Sequence, residues 1–323
     1  MADFTIAVDV ETWPIDGQFA IARGAKREAV VAVARISQDG VTGRGEGVPY
    51  ARYGETVEGV RAALLAAPCD PRAIRALAPG AARNALDCAL WDLEAKRSGV
   101  RAATRAGLGA LRPLVTAYTL SLDAPDVMAA RAAEAAARGM QLLKLKLGGT
   151  GDEARLRQIR AACPNARLIA DANEAWTPAM LEPLLSVAAD CGLELIEQPL
   201  PVDADDALSA VAHPVPVCAD ESLHTRTGLA RLAGRYEAVN IKLDKAGGLT
   251  EGLATLAQAR GMGFSVMVGC MVGTSLAMAP AMLLAQDADW VDLDGPLLLA
   301  RDRDNGLRYE AGCVYPPDPS LWG

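Results

Sequence analysis

Short runs of apolar residues recur through the second half of the chain, and most of them end in a charged residue. Their last residues lie about 25 positions apart, a spacing typical of repeated strand–helix units. Continuous apolar runs of this length indicate strands buried on both faces of a parallel sheet, and the stretches between them carry helical patterning. The runs end at Thr119, Lys146, Asp171, Glu197, Asp220, Lys242, Val268 and Asp292.

Eight such strand ends predict an α/β fold, a TIM-like (β/α)7β barrel over residues 106–294. Residues 1–105 differ, because they predict antiparallel strands and helices that form an α+β domain before the barrel. Residues 295–323 hold no further βα unit and predict a C-terminal tail that returns toward the first domain. The predicted strands of that domain are Phe4–Val10, Ala29–Ile36 and Gly40–Val48, and its helices are Thr56–Ala67, Pro71–Leu77 and Ala81–Arg97.

Composition excludes several classes of protein. Of the 323 residues, 51% are hydrophobic and 22% are charged, as in ordinary globular proteins, and a formal net charge of −8 argues against a nucleic-acid partner. Met1–Trp13 lacks the basic segment of a secretory signal, so we expect a cytoplasmic protein. Gly261–Gln286 is uncharged but divides into a strand and a helix, so we expect no membrane partner. No two of the seven cysteines have CxxC spacing, which gives no indication of zinc or a redox pair.

Three carboxylates end neighbouring predicted strands. Asp171, Glu197 and Asp220 would therefore present hard oxygen ligands to one region of the barrel rim. Such ligands suit Mg²⁺, whose octahedral shell would be completed by water and a substrate carboxylate. The sequence predicts a magnesium site formed by these three residues.

Lysines are predicted on both sides of this site. Lys144 and Lys146 alternate with leucines in the run Leu142–Leu147, so they share one face of the strand, and Lys242 lies four strands further round. Bases on opposite sides of a metal-bound substrate can remove a proton from one face and return it to the other, which predicts an epimerase or racemase. We expect Lys144 to support Lys146, because neighbouring cations lower a lysine pKa. Lys245 is expected to point away from the cavity or to lie beyond the strand.

Asp292 and Asp294 are predicted to share a face of the eighth strand. They add negative charge that the metal does not need, and an ammonium group on the substrate would match it. The chain has only two histidines, and neither lies at the sixth or seventh strand end, so a histidine base opposite the lysines is not available. We expect His213 to be structural, while His224, on a rim loop, is a candidate for substrate contact or support.

At these positions the chain resembles the muconate-lactonizing subgroup of the enolase superfamily. Lys144-Leu145-Lys146 is similar to its KxK motif, and Lys242 is similar to its lysine on the opposite face. Asp292-Leu293-Asp294 is similar to the DxD motif of dipeptide epimerases, which binds the substrate α-ammonium. The resemblance also covers the metal ligands and the segments Ile21–Gly24, Tyr50–Glu55, Gly80–Asp87 and Gly269–Met271.

The resemblance implies that the first domain caps the barrel and closes over the substrate through loops around Arg23 and Tyr50–Tyr53. It implies Mg²⁺-dependent, two-base epimerisation of L-Ala-D/L-Glu dipeptides through a metal-stabilised enediolate, in the recycling of murein peptides. Arg23 would hold the glutamate side-chain carboxylate, with Lys26 or Arg52 as alternatives. Thr119 is expected to contact the substrate.

Other functions stay open at this point. A dipeptide epimerase of another side-chain specificity has the same motifs. A cycloisomerase or an o-succinylbenzoate synthase is disfavoured by Asp292 and Asp294, because its substrate lacks an ammonium group. A dipeptide-binding protein without turnover would need neither Lys146 nor Lys242. The expected partner is a small-molecule dipeptide, and a homo-oligomer is left open.

Overall fold

The computed structural model describes residues 4–323, so the first three residues of the predicted N-terminal domain lie outside the described range. The next part of the chain forms a three-stranded antiparallel sheet in the order β1-β2-β3, with helices packed against it. The strands are β1 Thr5–Ile21, β2 Gly24–Gln38 and β3 Val41–Gly47, and the helices are α1 Val57–Leu65, α2 Pro71–Arg75, α3 Ala81–Ser98 and α4 Ala102–Arg105. The predicted strands and helices of this part are therefore confirmed in type and order.

The hairpin of β1 and β2 is much longer than predicted. Pairing resumes at Phe19 after a register shift that follows Pro14, and it continues to the turn before Gly24. Proline and the left-handed Gly17 interrupt the apolar alternation there, which hides the second half of the strand from a pattern analysis. The extra length carries the hairpin over the barrel.

Three glycines allow β3 and α3 to pack closely. A Cβ atom on Gly43, Gly45 or Gly47 would lie within 2.2 Å of a backbone oxygen of α3. These residues alternate along β3, so all three face the helix. Any larger residue would push the helix away from the sheet.

Eight parallel strands form the second sheet, in chain order from β5 to β12. Side chains bridge the first and last strands, because Leu293 N donates to Thr116 Oγ1 (2.9 Å) and Thr119 N donates to Asp294 Oδ2 (2.6 Å). The strands are β5 Ala117–Leu120, β6 Leu142–Lys146, β7 Arg167–Asp171, β8 Ile196–Glu197, β9 Val217–Ala219, β10 Ala238–Lys242, β11 Ser265–Gly269 and β12 Trp290–Asp292. Helical segments join them, which confirms the predicted (β/α)7β barrel.

The connecting helices are α5 Pro125–Ala137, α6 Asp152–Ala162, α7 Pro178–Asp190, α8 Leu243–Ala246, α9 Leu249–Gly261 and α10 Ser275–Ala285, with 3₁₀ helices at Asp205–Ala210 and Arg226–Leu232. The uncharged stretch divides into β11 and α10, as expected. None of the helices within residues 4–323 has the length and apolar character needed to cross a bilayer.

The apolar run around Thr119, which predicts one strand, contains two strands in the structure. β4, Leu114–Val115, leaves the barrel and pairs with the tail strand β14, Cys313–Val314, which follows β13, Tyr309–Glu310. Further along the tail, the buried Trp322 donates from Nε1 to the carbonyl oxygen of Cys88 at 3.0 Å. The tail thus contacts both the barrel and α3, while the domain boundaries at residues 105 and 294 stay predictions.

Apolar side chains close the inside of the barrel at one end. They come from six strands and from the position just before β8, and they form a buried cluster of their own, consisting of Ala117, Leu142, Ile169, Leu195, Cys218, Ala238 and Met267. Two residues further along a strand, the side chain again points inward. This register brings Lys144, Asp171, Glu197 and Asp220 directly above the apolar floor.

Candidate active site

Three carboxylates and three lysines meet above the apolar floor. The strand register fixes part of the arrangement, since Lys146 pairs with Asp171 and Asp171 pairs with Glu197. All six side chains are buried, and each lysine approaches one carboxylate. Lys144 Nζ lies 2.6 Å from Glu197 Oε2, Lys146 Nζ lies 2.6 Å from Asp171 Oδ2, and Lys242 Nζ lies 2.7 Å from Asp220 Oδ2.

The acidic residues fit a divalent metal ion. One oxygen from each of Asp171, Glu197 and Asp220 lies within 4.8 Å of the others, and all three residues are buried. Glu197 Oε2 accepts no hydrogen bond of normal geometry despite its close ion pair with Lys144. Three hard, buried oxygen donors are the ligands that Mg²⁺ prefers. These residues would hold the ion.

Burial acts to raise the pKa of all three carboxylates, but neighbouring lysines reverse the result at two of them. The charge of Lys146 lowers the pKa of Asp171 to about 2. Lys242 holds the pKa of Asp220 well below its usual 3.8. At Glu197, burial and the charge of Asp171 outweigh the lysines, so its pKa is raised. Mixed buried charges therefore give neighbouring carboxyl groups different proton affinities.

Carboxylates raise the pKa values of two of the buried lysines. Burial acts to lower the pKa of Lys144, but Asp292 and Glu197 raise it well above 10.5. Burial is likewise outweighed at Lys242, where Asp220 raises the pKa well above 10.5. At both lysines the charges of the nearby carboxylates therefore outweigh the effect of burial.

Asp292 and Asp294 both face the cavity, although only Asp292 belongs to a strand. The prediction that both lie on the eighth strand is wrong for Asp294, which precedes a 3₁₀ helix at Gly295–Leu298. Asp292 Oδ2 lies 2.7 Å from Lys144 Nζ, and its Oδ1 is buried without a hydrogen-bond partner. Burial and the charge of Asp292 raise the pKa of Asp294 to about 7. Together they form a buried acidic wall with one unused acceptor.

The cavity between the barrel and the N-terminal sheet has a volume of about 800 Å³. Its lining includes Thr119 from β5, Phe19 from the long hairpin and both candidate bases. The centroid of the Phe19 ring lies 5.8 Å from Lys146 Nζ, so the hairpin covers the reacting side of that lysine. A cavity of this size accommodates a small peptide and excludes most of the bulk water.

Arg23, at the hairpin turn, is held by carboxylates of the barrel rim. Its Nη2 lies 2.7 Å from Glu221 Oε1, and its Nη1 lies 3.1 Å from Glu174 Oε2. Arg23 also lines the cavity, and it donates to Tyr50 Oη at 3.3 Å. The guanidinium thus ties the hairpin to the barrel, and a carboxylate of the substrate would have to share it.

Arg52 and Lys26, the alternatives to Arg23 for binding the side-chain carboxylate of the substrate, differ in their partners. Arg52 makes two bonds of 2.7 Å to the carboxylate of Glu174. Lys26 pairs with Phe19 across the hairpin, and its Nζ lies 5.2 Å from the centroid of the Tyr50 ring. No carboxylate among residues 4–323 lies within ion-pair distance of Lys26. Its charge is available to a ligand.

The histidines lie away from the lysines. His213 contacts Glu237 and the backbone of Leu208, which agrees with a structural role. His224 is exposed, and its ring packs against Tyr53 with centroids 4.5 Å apart. His224 therefore supports the roof of the cavity through Tyr53.

Three polar residues around the metal ligands were not predicted. Lys245, expected to point away, is buried because α8 begins directly after β10 and turns its side chain back to Asp220. Glu221 and Gln198 directly follow metal-ligand candidates, and both are buried. The signal in the sequence was a polar residue directly after Glu197 and after Asp220, and such a residue could equally be a turn residue without contact to the site.

Comparison with known proteins agrees with this geometry. Residues 3–104 match the mandelate racemase/muconate lactonizing enzyme N-terminal domain, and residues 127–320 match the family described as enolase C-terminal domain-like. The L-Ala-D/L-Glu epimerase of Escherichia coli (strain K12) is 44% identical over 96% of this chain and 99% of that protein. The N-acetyl-D-glutamate racemase of a Pseudoalteromonas species is 44% identical over 87% of this chain and 91% of that protein.

Solved structures show the same fold with ligands. An enolase family member from Agrobacterium tumefaciens, with homology to dipeptide epimerases, contains bound sodium and L-Ala-L-Glu. It superposes with a TM-score of 0.96 and 52% identity over 99% of this chain and 100% of that one. The dipeptide epimerase of Enterococcus faecalis V583, complexed with Mg and L-Leu-L-Tyr, superposes with a TM-score of 0.89. It is 30% identical to this chain, and the match covers 98% of each chain. The sequence resemblance is thereby confirmed, and the chain belongs to the mandelate racemase/muconate lactonizing enzyme family of the enolase superfamily.

Proposed function

We propose that this protein is a Mg²⁺-dependent epimerase of L-Ala-D/L-Glu dipeptides. The observation that carries the proposal is the pair of buried lysines, Lys146 on β6 and Lys242 on β10, on opposite sides of one carboxylate cluster. The acidic wall of Asp292 and Asp294 restricts the substrate to one with an ammonium group. The E. coli relative acts on L-Ala-D/L-Glu, and the Agrobacterium structure contains L-Ala-L-Glu, which supports the choice of dipeptide.

The acidic wall would bind the α-ammonium of the first residue. Asp292 offers its unpartnered Oδ1, and Asp294 is held in place by the backbone N–H of Thr119. An ammonium between two buried carboxylates makes charge-assisted hydrogen bonds, which are stronger than neutral ones. This contact anchors the dipeptide so that its second residue lies between the two lysines.

The lysines would then exchange the α-proton of the second residue. One lysine, in its neutral form, removes the proton from one face of the α-carbon, and the ammonium of the other donates a proton to the opposite face. The product is the opposite epimer, and the two lysines have exchanged protonation states. When bound, Mg²⁺ supplies positive charge that stabilises the charge developing on the substrate carboxylate and lowers the pKa of the nearby lysines. Lys144 keeps its ammonium between Glu197 and Asp292 and holds both in position.

The side-chain carboxylate of the substrate would meet the cations of the hairpin. Arg23 lines the cavity but shares its charge with Glu174 and Glu221. Lys26 lines the same cavity and has no carboxylate partner among the described residues. We keep the assignment of this carboxylate to Arg23 that the sequence resemblance implies, and we add Lys26 as a second contact because its charge is not shared.

The racemase among the relatives suggests a rival substrate, an N-acylated glutamate. Such a compound lacks the ammonium group, so within the described residues it would leave Asp294 without an ion-pair partner and the buried Oδ1 of Asp292 without a donor. An unpaired buried charge costs several kcal/mol, which favours the dipeptide. The same argument disfavours a cycloisomerase or an o-succinylbenzoate synthase.

Exchange in D₂O tests the proposal. With Mg²⁺ present, L-Ala-L-Glu should gain one deuterium at the glutamate α-carbon and approach a mixture of both epimers. EDTA should stop the reaction, and added Mg²⁺ should restore it. A panel that includes L-Leu-L-Tyr and N-acetylglutamate controls for specificity. If folded, metal-bound protein exchanges no dipeptide of the panel, the epimerase proposal is wrong.

We further propose that the enzyme works in the cytoplasm and recycles murein peptides, as the sequence predicts. Support comes from the dipeptide itself, since a D-glutamate residue linked to L-alanine is characteristic of murein. A strain without the gene should accumulate L-Ala-D-Glu when it is fed murein peptides. Equal levels in the two strains would contradict this role.

A further inference from the structure

Each metal-ligand carboxylate has one oxygen held by a donor that is not a cavity lysine. We call these three donors the pinning donors. Asn173 N donates to Asp171 Oδ1 (2.8 Å), Asn240 Nδ2 donates to Glu197 Oε1 (2.7 Å), and Lys245 Nζ donates to Asp220 Oδ1 (2.6 Å). The second oxygen of each carboxylate faces Lys146, Lys144 or Lys242, and that of Asp171 also accepts from Asn173 Nδ2 at 3.1 Å. Glu197 and Asp220 therefore each present one pinned oxygen and one oxygen that only a cavity lysine approaches, whereas Asn173 contacts both oxygens of Asp171.

Lys245 is the charged member of the pinning donors. Its ammonium donates to Asp220 Oδ1, to the carbonyl oxygen of Asp220 (2.5 Å) and to the carbonyl oxygen of Asn240 (3.1 Å). These three bonds use all three N–H groups, and the side chain is only 1% exposed. The residue is thus fully committed to holding Asp220.

Backbone hydrogen bonds between β9 and β10 do not hold Asp220. The last paired residues of β9 and β10 are Ala219 and Val239, so Asp220 lies beyond the ladder. Gln198 Oε1 accepts from Asp220 N at 2.9 Å, while Lys245 takes the carbonyl oxygen. Side chains from both neighbouring strand ends replace the missing ladder bonds and fix the orientation of the carboxylate.

We propose that Lys245, together with Asn240, makes the metal ligands monodentate and so sets the preference of the site for Mg²⁺ over Ca²⁺. Mg²⁺ demands a compact octahedral shell, whereas Ca²⁺ takes about 6–8 oxygens and often binds both oxygens of one carboxylate. Pinning Oδ1 of Asp220 denies Ca²⁺ the extra oxygen without affecting a monodentate Mg²⁺ contact. The inference rests on the metal site of the proposed function, but not on its substrate.

Lys245→Met tests this by removing the ammonium while keeping an unbranched side chain. Calorimetric titration without dipeptide would give Kd for Mg²⁺ and for Ca²⁺, and their ratio is the readout. We expect Kd(Ca²⁺)/Kd(Mg²⁺) to fall about tenfold or more, since residues that orient metal ligands typically change affinity by about 10–100-fold. Asn240→Ala, which frees Glu197 Oε1, should shift the ratio in the same direction. Lys245→Gln keeps a neutral donor and should lie between wild type and Lys245→Met.

Lys96→Met is a matched control, because it also removes an ammonium from a buried aspartate. Lys96 lies on α3, 2.7 Å from Asp92, and does not line the cavity. The Kd(Ca²⁺)/Kd(Mg²⁺) ratio of Lys96→Met should equal that of wild type. A folded Lys245→Met with an unchanged ratio would overturn the proposal.

A crystal structure of the wild type with Ca²⁺ decides the matter if Lys245→Met does not fold. Monodentate Asp220 with Lys245 in place supports the proposal, and bidentate Asp220 with Lys245 displaced overturns it. Failure of the proposed function has another signature: no dipeptide is exchanged, yet the ratio responds to Lys245→Met as expected. Wild-type protein that binds neither ion would overturn the metal site and this inference with it.

Discussion

Replacing either Lys146 or Lys242 should abolish epimerisation but leave exchange of the α-proton of one epimer with solvent. Lys146→Ala removes the base on the β6 side, and Lys242→Ala removes the base on the β10 side. Each mutant keeps one lysine, which can still take the α-proton from the epimer that presents its hydrogen to that side. We expect one mutant to exchange only L-Ala-L-Glu and the other to exchange only L-Ala-D-Glu, with no inversion by either.

The structure indicates that both mutants should fold and bind metal. Without Lys146, Asp171 retains the bond from Asn173 N (2.8 Å) and Lys144 at 3.4 Å. Without Lys242, Asp220 retains Lys245 at 2.6 Å. The loss of epimerisation should therefore come from the missing base and not from unfolding or from loss of the metal. General bases contribute about 10²–10⁴ in rate, so epimerisation should fall at least about a hundredfold.

The assay follows deuterium at the glutamate α-carbon by NMR, with each epimer as a separate substrate and with Mg²⁺ at saturation. Lys96→Ala controls for the loss of a buried ion pair elsewhere, and it should leave the ratio of the two exchange rates unchanged. Partial unfolding would reduce both exchanges by the same factor. Equal residual exchange of both epimers in each lysine mutant would refute the two-base mechanism.

Three further predictions use other parts of the molecule. Asp292→Asn weakens a charge-assisted contact worth about 1.5–3 kcal/mol, so kcat/KM for L-Ala-L-Glu should fall about tenfold or more, and N-acetylation of the dipeptide should add little to that loss. Asp244→Asn should stabilise the protein above pH 7 by up to about 4 kcal/mol in denaturant titrations, since burial raises the pKa of Asp244 to about 7 from 3.8. The stability that protonated Asp244 contributes is complete below pH 3.8 and is lost as the pH rises through about 7, while Asn can still accept from Val48 N and Asn84 Nδ2. Mg²⁺ and dipeptide should bind cooperatively, each increasing the affinity for the other about 5–150-fold and by the same factor in calorimetry. A wild-type free energy of unfolding that does not change with pH would contradict the prediction for Asp244. Affinities for Mg²⁺ and dipeptide that do not depend on each other would contradict the predicted cooperativity.

The barrel and its charged residues were predictable because strand patterning is local. A buried parallel strand is apolar over its whole length, so each polar residue at its end stands out, as Asp171 and Glu197 do. Lys144 and Lys146 alternate with leucines, so the sequence alone shows that both lysines lie on the same face of the strand. The local pattern therefore sufficed to place the carboxylates and lysines around one cavity.

The remaining features depend on long-range contacts. Lys245 looks like a surface residue in the sequence, and only the turn after β10 brings it to Asp220, 25 residues earlier in the chain. Arg23 meets Glu221 across 198 positions, so no local pattern indicates that its charge is shared. Asp294 leaves the strand because Gly295-Pro296 begins a 3₁₀ helix, which a period-two pattern does not show.

The buried charges around the cavity give a reason for metal and substrate to bind together. Five buried carboxylates and four buried lysines carry a formal charge of −1, with Glu221 neutralised by Arg23. They are Asp171, Glu197, Asp220, Asp292 and Asp294, and Lys144, Lys146, Lys242 and Lys245. A dipeptide with one ammonium and two carboxylates also carries −1, so the site repels it until Mg²⁺ brings the total to zero. When one lysine becomes neutral to act as the base, the total falls by one. The exposed Lys26 at the cavity, which has no carboxylate partner within residues 4–323, supplies a compensating positive charge. A buried assembly without net charge avoids the cost of an uncompensated ion, so the same arrangement that binds the dipeptide also permits a neutral catalytic lysine.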